Sequence, residues 1–205
     1  FRALLGSKRP NASVAVAFAV LNNSAEARNL AVRAALDLPR RECLEAILRI
    51  FHELSPDQHA QSVARASAFL PVLRTAIHDQ DHQVRLNACD FLIRTDDTRV
   101  AYLMADLMQD PSNDIRKKAQ DGILALARSH HILAASVQHG KTTVPRHVLE
   151  TKRYALLDSL LSALRFYKSH ERPEVIAQLL SLDPRGDEVL VDILASPMDR
   201  RRKVL

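Results

Sequence analysis

Apolar residues recur along much of this chain at the spacing of one helix face. Val84, Ala88 and Leu92 fall at i, i+4 and i+8, and Ile115, Ala119 and Ile123 do the same. Val16 and Val20 mark an earlier helix that ends before the polar Asn22-Asn23-Ser24. Two further helices are predicted at about 40–54 and about 57–69 from the same spacing. Ser55-Pro56-Asp57 reads as the break between them, since proline suits a first helical turn. After Leu126 the pattern loosens. Residues 129–150 are expected as an irregular segment, a helix tail to about 137 followed by a long loop with Gly140, Thr142, Thr143 and Pro145. Periodicity returns at Tyr154, Leu157, Leu161 and Leu164. A helix led by Pro173 follows, then another, and Ser196-Pro197-Met198-Asp199 resembles the turn at 110–114.

Two of these stretches are near copies, 31 residues apart. Val84-Arg85-Leu86-Asn87-Ala88 aligns with Ile115-Arg116-Lys117-Lys118-Ala119. The match extends upstream: Leu73 and Ile77 align with Met104 and Met108, and Asp79 with Asp110. Each unit is then a first helix, a polar turn and a second helix. Aspartate in such a turn can accept free backbone N–H groups of the incoming helix, and Pro111 stands where a helix is about to start. Alanine at the middle of the apolar stripe allows close helix approach. One such unit cannot bury both its faces, so neighbours must stack on it. A looser third copy places Ala27-Arg28 and Ala31 in register.

These units resemble HEAT repeats, on Asp79 with Val84-Arg85 and Ala88, and on Asp110-Pro111 with Ile115-Arg116 and Ala119. The resemblance is closest over 71–126 and looser over 12–36 and 152–205. It implies a curved, right-handed α-α superhelix of about six helix pairs, built by nearest-neighbour stacking, with second helices lining the concave face. It also implies that Arg85 and Arg116 pair with turn aspartates such as Asp79 and Asp110. The expected organisation is N-terminal repeats over 1–128, the irregular segment at 129–150, and C-terminal repeats over 151–205, cut short at Leu205.

Composition agrees with an all-α chain. Aromatics are 4% with no Trp, so the core must be mostly aliphatic, and only 4 glycines are present for the turns that hairpin folds need. No run approaches the roughly 20 apolar residues of a membrane helix. Cys43 and Cys89 both fall in predicted helices and are expected as buried free thiols, which fits a reducing, cytoplasmic setting. A start at Phe1 rather than Met, and an end inside a predicted helix, lead us to expect a piece of a longer protein.

Candidate chemistry is sparse. Ala135-Ser136-Val137-Gln138-His139-Gly140-Lys141-Thr142 fits the loose form of a phosphate-binding loop, but that chemistry needs a strand before it and a helix after it. His52-Glu53 and His170-Glu171 resemble the iron-binding pairs of HEAT-like deoxyhypusine hydroxylases, which use several pairs at equivalent repeat positions; these two are not equivalent. His78 and His82 have ligand spacing without a third ligand. No catalytic residue, cofactor or metal is expected.

The expected function is a protein-binding scaffold or adaptor, whose partner is another protein or another domain of the same parent protein. Contacts are placed at Asn87, Lys117, Lys118 and Asp121, taken as exposed second-helix positions, and at the loop near 138–148. The alternative is phosphate-backbone binding to nucleic acid through Lys117, Lys118, Arg200, Arg201 and Lys203, with a net charge of +5 and pI near 9.5. HEAT-like DNA glycosylases bind duplex DNA on a basic concave face with help from aromatic residues, and Trp is lacking here. A metal-dependent enzyme of HEAT type is the third expectation. No membrane partner is expected.

Overall fold

The apolar stripes of both copies are core. Val84, Ala88 and Leu92 are buried, as are Ile115, Ala119 and Ile123, and upstream Leu73 and Ile77 are buried like Met104 and Met108. The computed structural model describes residues 1–164, apart from Lys8, Pro10 and Asn23. Those residues are helical throughout their regular structure and hold no strand. In order they form α1 (Arg2–Gly6), α2 (Ala12–Asn22), α3 (Ala25–Asp37), α4 (Arg41–Arg49), α5 (Pro56–Val63), α6 (Ala66–Ala76), α7 (His82–Thr95), α8 (Ala101–Leu107), α9 (Asn113–Gln138) and α10 (Arg146–Leu164). Short 3-10 turns, Phe51–Glu53 and Thr98–Val100, follow α4 and precede α8. The helices expected beyond Pro173 lie outside the described residues.

The chain divides between Thr95 and Asp96 into two compact units. In the first, α2 packs on α4 and α4 on α6, while α3 packs on α5 and α5 on α7. First helices thus neighbour first helices, and second helices neighbour second helices. The core between them is aliphatic, with Val16, Val20, Val32, Ala35 and Ile47 all buried. Three phenylalanines close it. Phe91 stands 5.2 Å from Phe51 and 4.7 Å from Phe69 between ring centroids, distances suited to tilted aromatic contact.

The break at Ser55-Pro56 forms as its residues predict. Ser55 Oγ accepts from Gln58 N, Gln58 Oε1 accepts from Ser55 N, and Pro56 takes the first helical position. Gln58 also reaches Asn29 Oδ1 at 3.0 Å, tying α5 to α3. The helix predicted over 57–69 is two helices, α5 ending at Val63 and α6 starting at Ala66.

In the second unit α8, α9 and α10 pack on one another. The helix tail expected to about 137 is present, with α9 running to Gln138, and from Ala125 to Gln138 there is no glycine or proline to stop it. The loop expected after it is shorter: α10 starts at Arg146, just after Pro145, leaving 139–145 as the connection. Gly140 ends α9. With φ 66° it takes the left-handed conformation, Gly140 N donates to Val137 O, and Lys141 N donates to Ser136 O. That pair of bonds is a glycine C-cap of the Schellman type.

Candidate functional site

The second helix of the second copy, α9, carries the residues expected to face a partner. Asp114, Lys117, Asp121, Ala125, Arg128 and Ile132 are all exposed. Their three- and four-residue spacing puts them on one face. The face alternates in charge sign and ends on an aliphatic side chain, with Ile132 at 66% exposure. Lys117 and Asp121 are therefore on the surface as expected, and Lys118 is half-buried beside them.

Asn87 is not on such a face. It is fully buried in α7, and its Nδ2 donates to Leu48 O at 2.9 Å and Arg49 O at 2.8 Å. Its Oδ1 accepts from Gln83 Nε2 at 2.9 Å. The side chain closes the C-terminal end of α4, where helix carbonyls have no partner of their own. Asn87 thus has a structural place, and its assignment as an exposed contact is corrected. The signal was present in the spacing: Asn87 lies three residues after Val84 and four before Phe91, on the buried stripe. Its polarity pointed the other way.

The two repeat arginines share one geometry. Arg85 Nη1 donates to the carbonyls of Asp79 and Gln80 at 2.9 and 3.1 Å. Arg116 Nη1 donates to those of Asp110 and Pro111 at 2.7 and 2.9 Å. The turn aspartates match as well, with Asp79 Oδ1 accepting from Asp81 N and Asp110 Oδ1 from Ser112 N. Each arginine reaches the aspartate's carbonyl in its own turn. The Asp79 carboxylate also binds Arg49 Nη2 at 3.1 Å, so it links α4 to the α6–α7 turn. In the looser copy Arg28 occupies the equivalent position and pairs with Glu53.

Positions where the copies differ are partly internal. Phe91 and its counterpart Gly122 are both buried, so that difference reshapes packing and not the surface.

The remaining candidates are dispersed. His52 Nε2 lies 3.8 Å from Glu53 Oε1 and its Nδ1 faces Asn87 Nδ2. His78 and His82 are exposed. Among the described residues no group of three or more His, Cys, Asp or Glu side chains is placed to hold a metal ion. His170-Glu171, Arg200, Arg201 and Lys203 lie outside the described residues. Gly140-Lys141-Thr142 caps the end of a helix, whereas a phosphate-binding loop opens one. Both cysteines are buried free thiols. Among the described residues no helix is long and apolar enough to cross a membrane.

No protein-family model matches the chain, and no curated protein matches it.

Proposed function

We propose that this chain is a HEAT-like solenoid segment that works as a protein-binding scaffold. The observation that carries this reading is the stacking order in the first unit, first helices on first helices and second on second. Stacking of that kind produces a long surface from short-range contacts and needs no catalytic pocket. The same helix–turn–helix unit recurs in the second unit with the same arginine-to-turn bonds. The α9 face offers Lys117 and Arg128 for carboxylates, Asp114 and Asp121 for basic groups, and Ile132 as an apolar anchor. A helical or extended protein segment of mixed charge fits this pattern. A uniform polyanion fits it less well, because the two aspartates interrupt the cationic positions.

The test is affinity capture with the intact chain and with the double variant Lys117→Glu, Lys118→Glu, followed by quantitative mass spectrometry. Loss of a captured protein with an unchanged thermal melt supports the α9 face. Equal capture by both forms removes it. Anisotropy titration with duplex DNA and single-stranded RNA at low salt separates the alternative, since phosphate binding falls steeply as salt is added. Tight, salt-sensitive binding there would replace the scaffold reading with a nucleic-acid one.

A further inference from the structure

Within the second unit, the last turns of α9, the 139–145 connection and α10 enclose a cleft of about 510 Å3. This is a volume typical of small-molecule sites. Leu126, Ile132 and Leu133 form its apolar wall, and Ser136, Lys141 and Lys152 bring polar groups to it. Neither lysine is in a salt bridge among the described residues, although the Asp97 carboxylate feels the Lys152 charge. One carboxylate, Asp96, also lines the cleft, so the lysines leave its lining cationic.

Thr98 supplies the second, independent observation. It lines the same cleft, is only 4% exposed, and its hydroxyl has no hydrogen-bond partner. A buried hydroxyl left without a partner is costly, and native structures leave few of them. A ligand oxygen would satisfy it after a small turn of the side chain, since the hydroxyl oxygen is closed to water as it stands. We propose that this cleft binds a small amphipathic anion, a carboxylate or phosphate monoester carrying a short hydrocarbon body. The anionic end would take Lys141, Lys152 and the Thr98 hydroxyl, and the hydrocarbon would lie on Leu126 and Leu133. Charge-assisted bonds of this kind are stronger than neutral ones, and the apolar wall adds affinity in proportion to the area covered.

The experiment is an amide-shift NMR titration of the full chain with four probes: hexyl phosphate, hexanoate, hexanol and inorganic phosphate. At least one of the two amphipathic anions should bind saturably and shift the amides of Thr98, Ser136 and Lys141. The stronger of the two names the headgroup. Hexanol and inorganic phosphate should each bind about tenfold more weakly, since each lacks one half of the recognition. In the double variant Lys141→Gln, Lys152→Gln the anion should bind about tenfold more weakly, with the thermal melt unchanged. Thr98→Val keeps the shape and removes the hydroxyl, and it should also weaken the anion. Equal affinity for hexanol, equal affinity for inorganic phosphate, shifts confined to other residues, or unchanged affinity in the lysine variant would each overturn the proposal.

Discussion

Asn87 has three candidate acceptors within reach of one amide group: Leu48 O, Arg49 O and His52 Nδ1. Two of them are carbonyls at the end of α4. Asn87→Ala removes every one of these bonds and leaves the carbonyls buried beside a small void. The expected loss is about 2–4 kcal/mol, from unpaired buried groups plus lost packing. Urea denaturation of the variant checks it, and a loss under half a kcal/mol or so would show the site to be wet and tolerant. Cys43 offers a second residue-scale expectation. Burial pushes its thiol up to about 11, and its Sγ donates to Ser13 O at 3.3 Å. The reactive thiolate is then scarce at neutral pH. In the folded chain Cys43 should resist iodoacetamide, read by mass spectrometry, and denaturant should expose it to rapid labelling. Fast labelling of the native protein would contradict the buried position.

At the scale of elements, α9 and α10 are joined by His130. Its Nε2 lies 3.1 Å from Leu149 O, the geometry of an N–H donating to a carbonyl. Its pKa is lowered below the ordinary 6.5, first by burial. Lys152 and Arg153 add to the lowering, while the Leu149 bond and Glu150 oppose it. The sign follows from linkage. Below pH 6.5 the unfolded chain takes up a proton that folded His130 accepts less readily, so stability falls as pH drops from 6.5 toward the lowered value. Above 6.5 both states are neutral and the contribution is flat. His130→Gln should flatten this acid slope in denaturation midpoints measured on either side of 6.5. An identical slope in the variant would place the pH dependence elsewhere. Ser129, His130 and His131 lie in the helix tail expected to about 137, and α9 buries only the middle one of the three.

On the whole-molecule scale, the first unit contains a complete core of its own. Phe51, Phe69 and Phe91 are each almost fully buried within it, and three stacked helix pairs surround them. Repeat architectures gain stability from each repeat and each nearest-neighbour interface. A polypeptide of residues 1–95 should therefore be helical and unfold cooperatively, measured by circular dichroism against temperature. A non-cooperative melt would mean that the first unit depends on the second. The scaffold reading belongs to this scale too, because it asks what a stacked array offers and not what any one residue does.

The order of apolar positions determined most of the helices and most of the core by itself. A helix face is defined by spacing, and spacing is written in the chain: Val84, Ala88, Ile115 and Ala119 are buried where their period placed them. Ser55-Pro56 was equally legible, since capping is settled within four residues. What periodicity leaves open is the neighbour. It shows that Asn87 shares a face with Val84, but not that the bare carbonyls of α4 stand opposite. It shows an arginine at the start of each second helix, but not that Arg85 and Arg116 turn back to their own carbonyls while Arg28 crosses to Glu53. The cleft behind Thr98 is of the same kind. Its walls come from segments as far apart as Asp96 and Lys152, and only tertiary packing brings Thr98 and two lysines to one cavity.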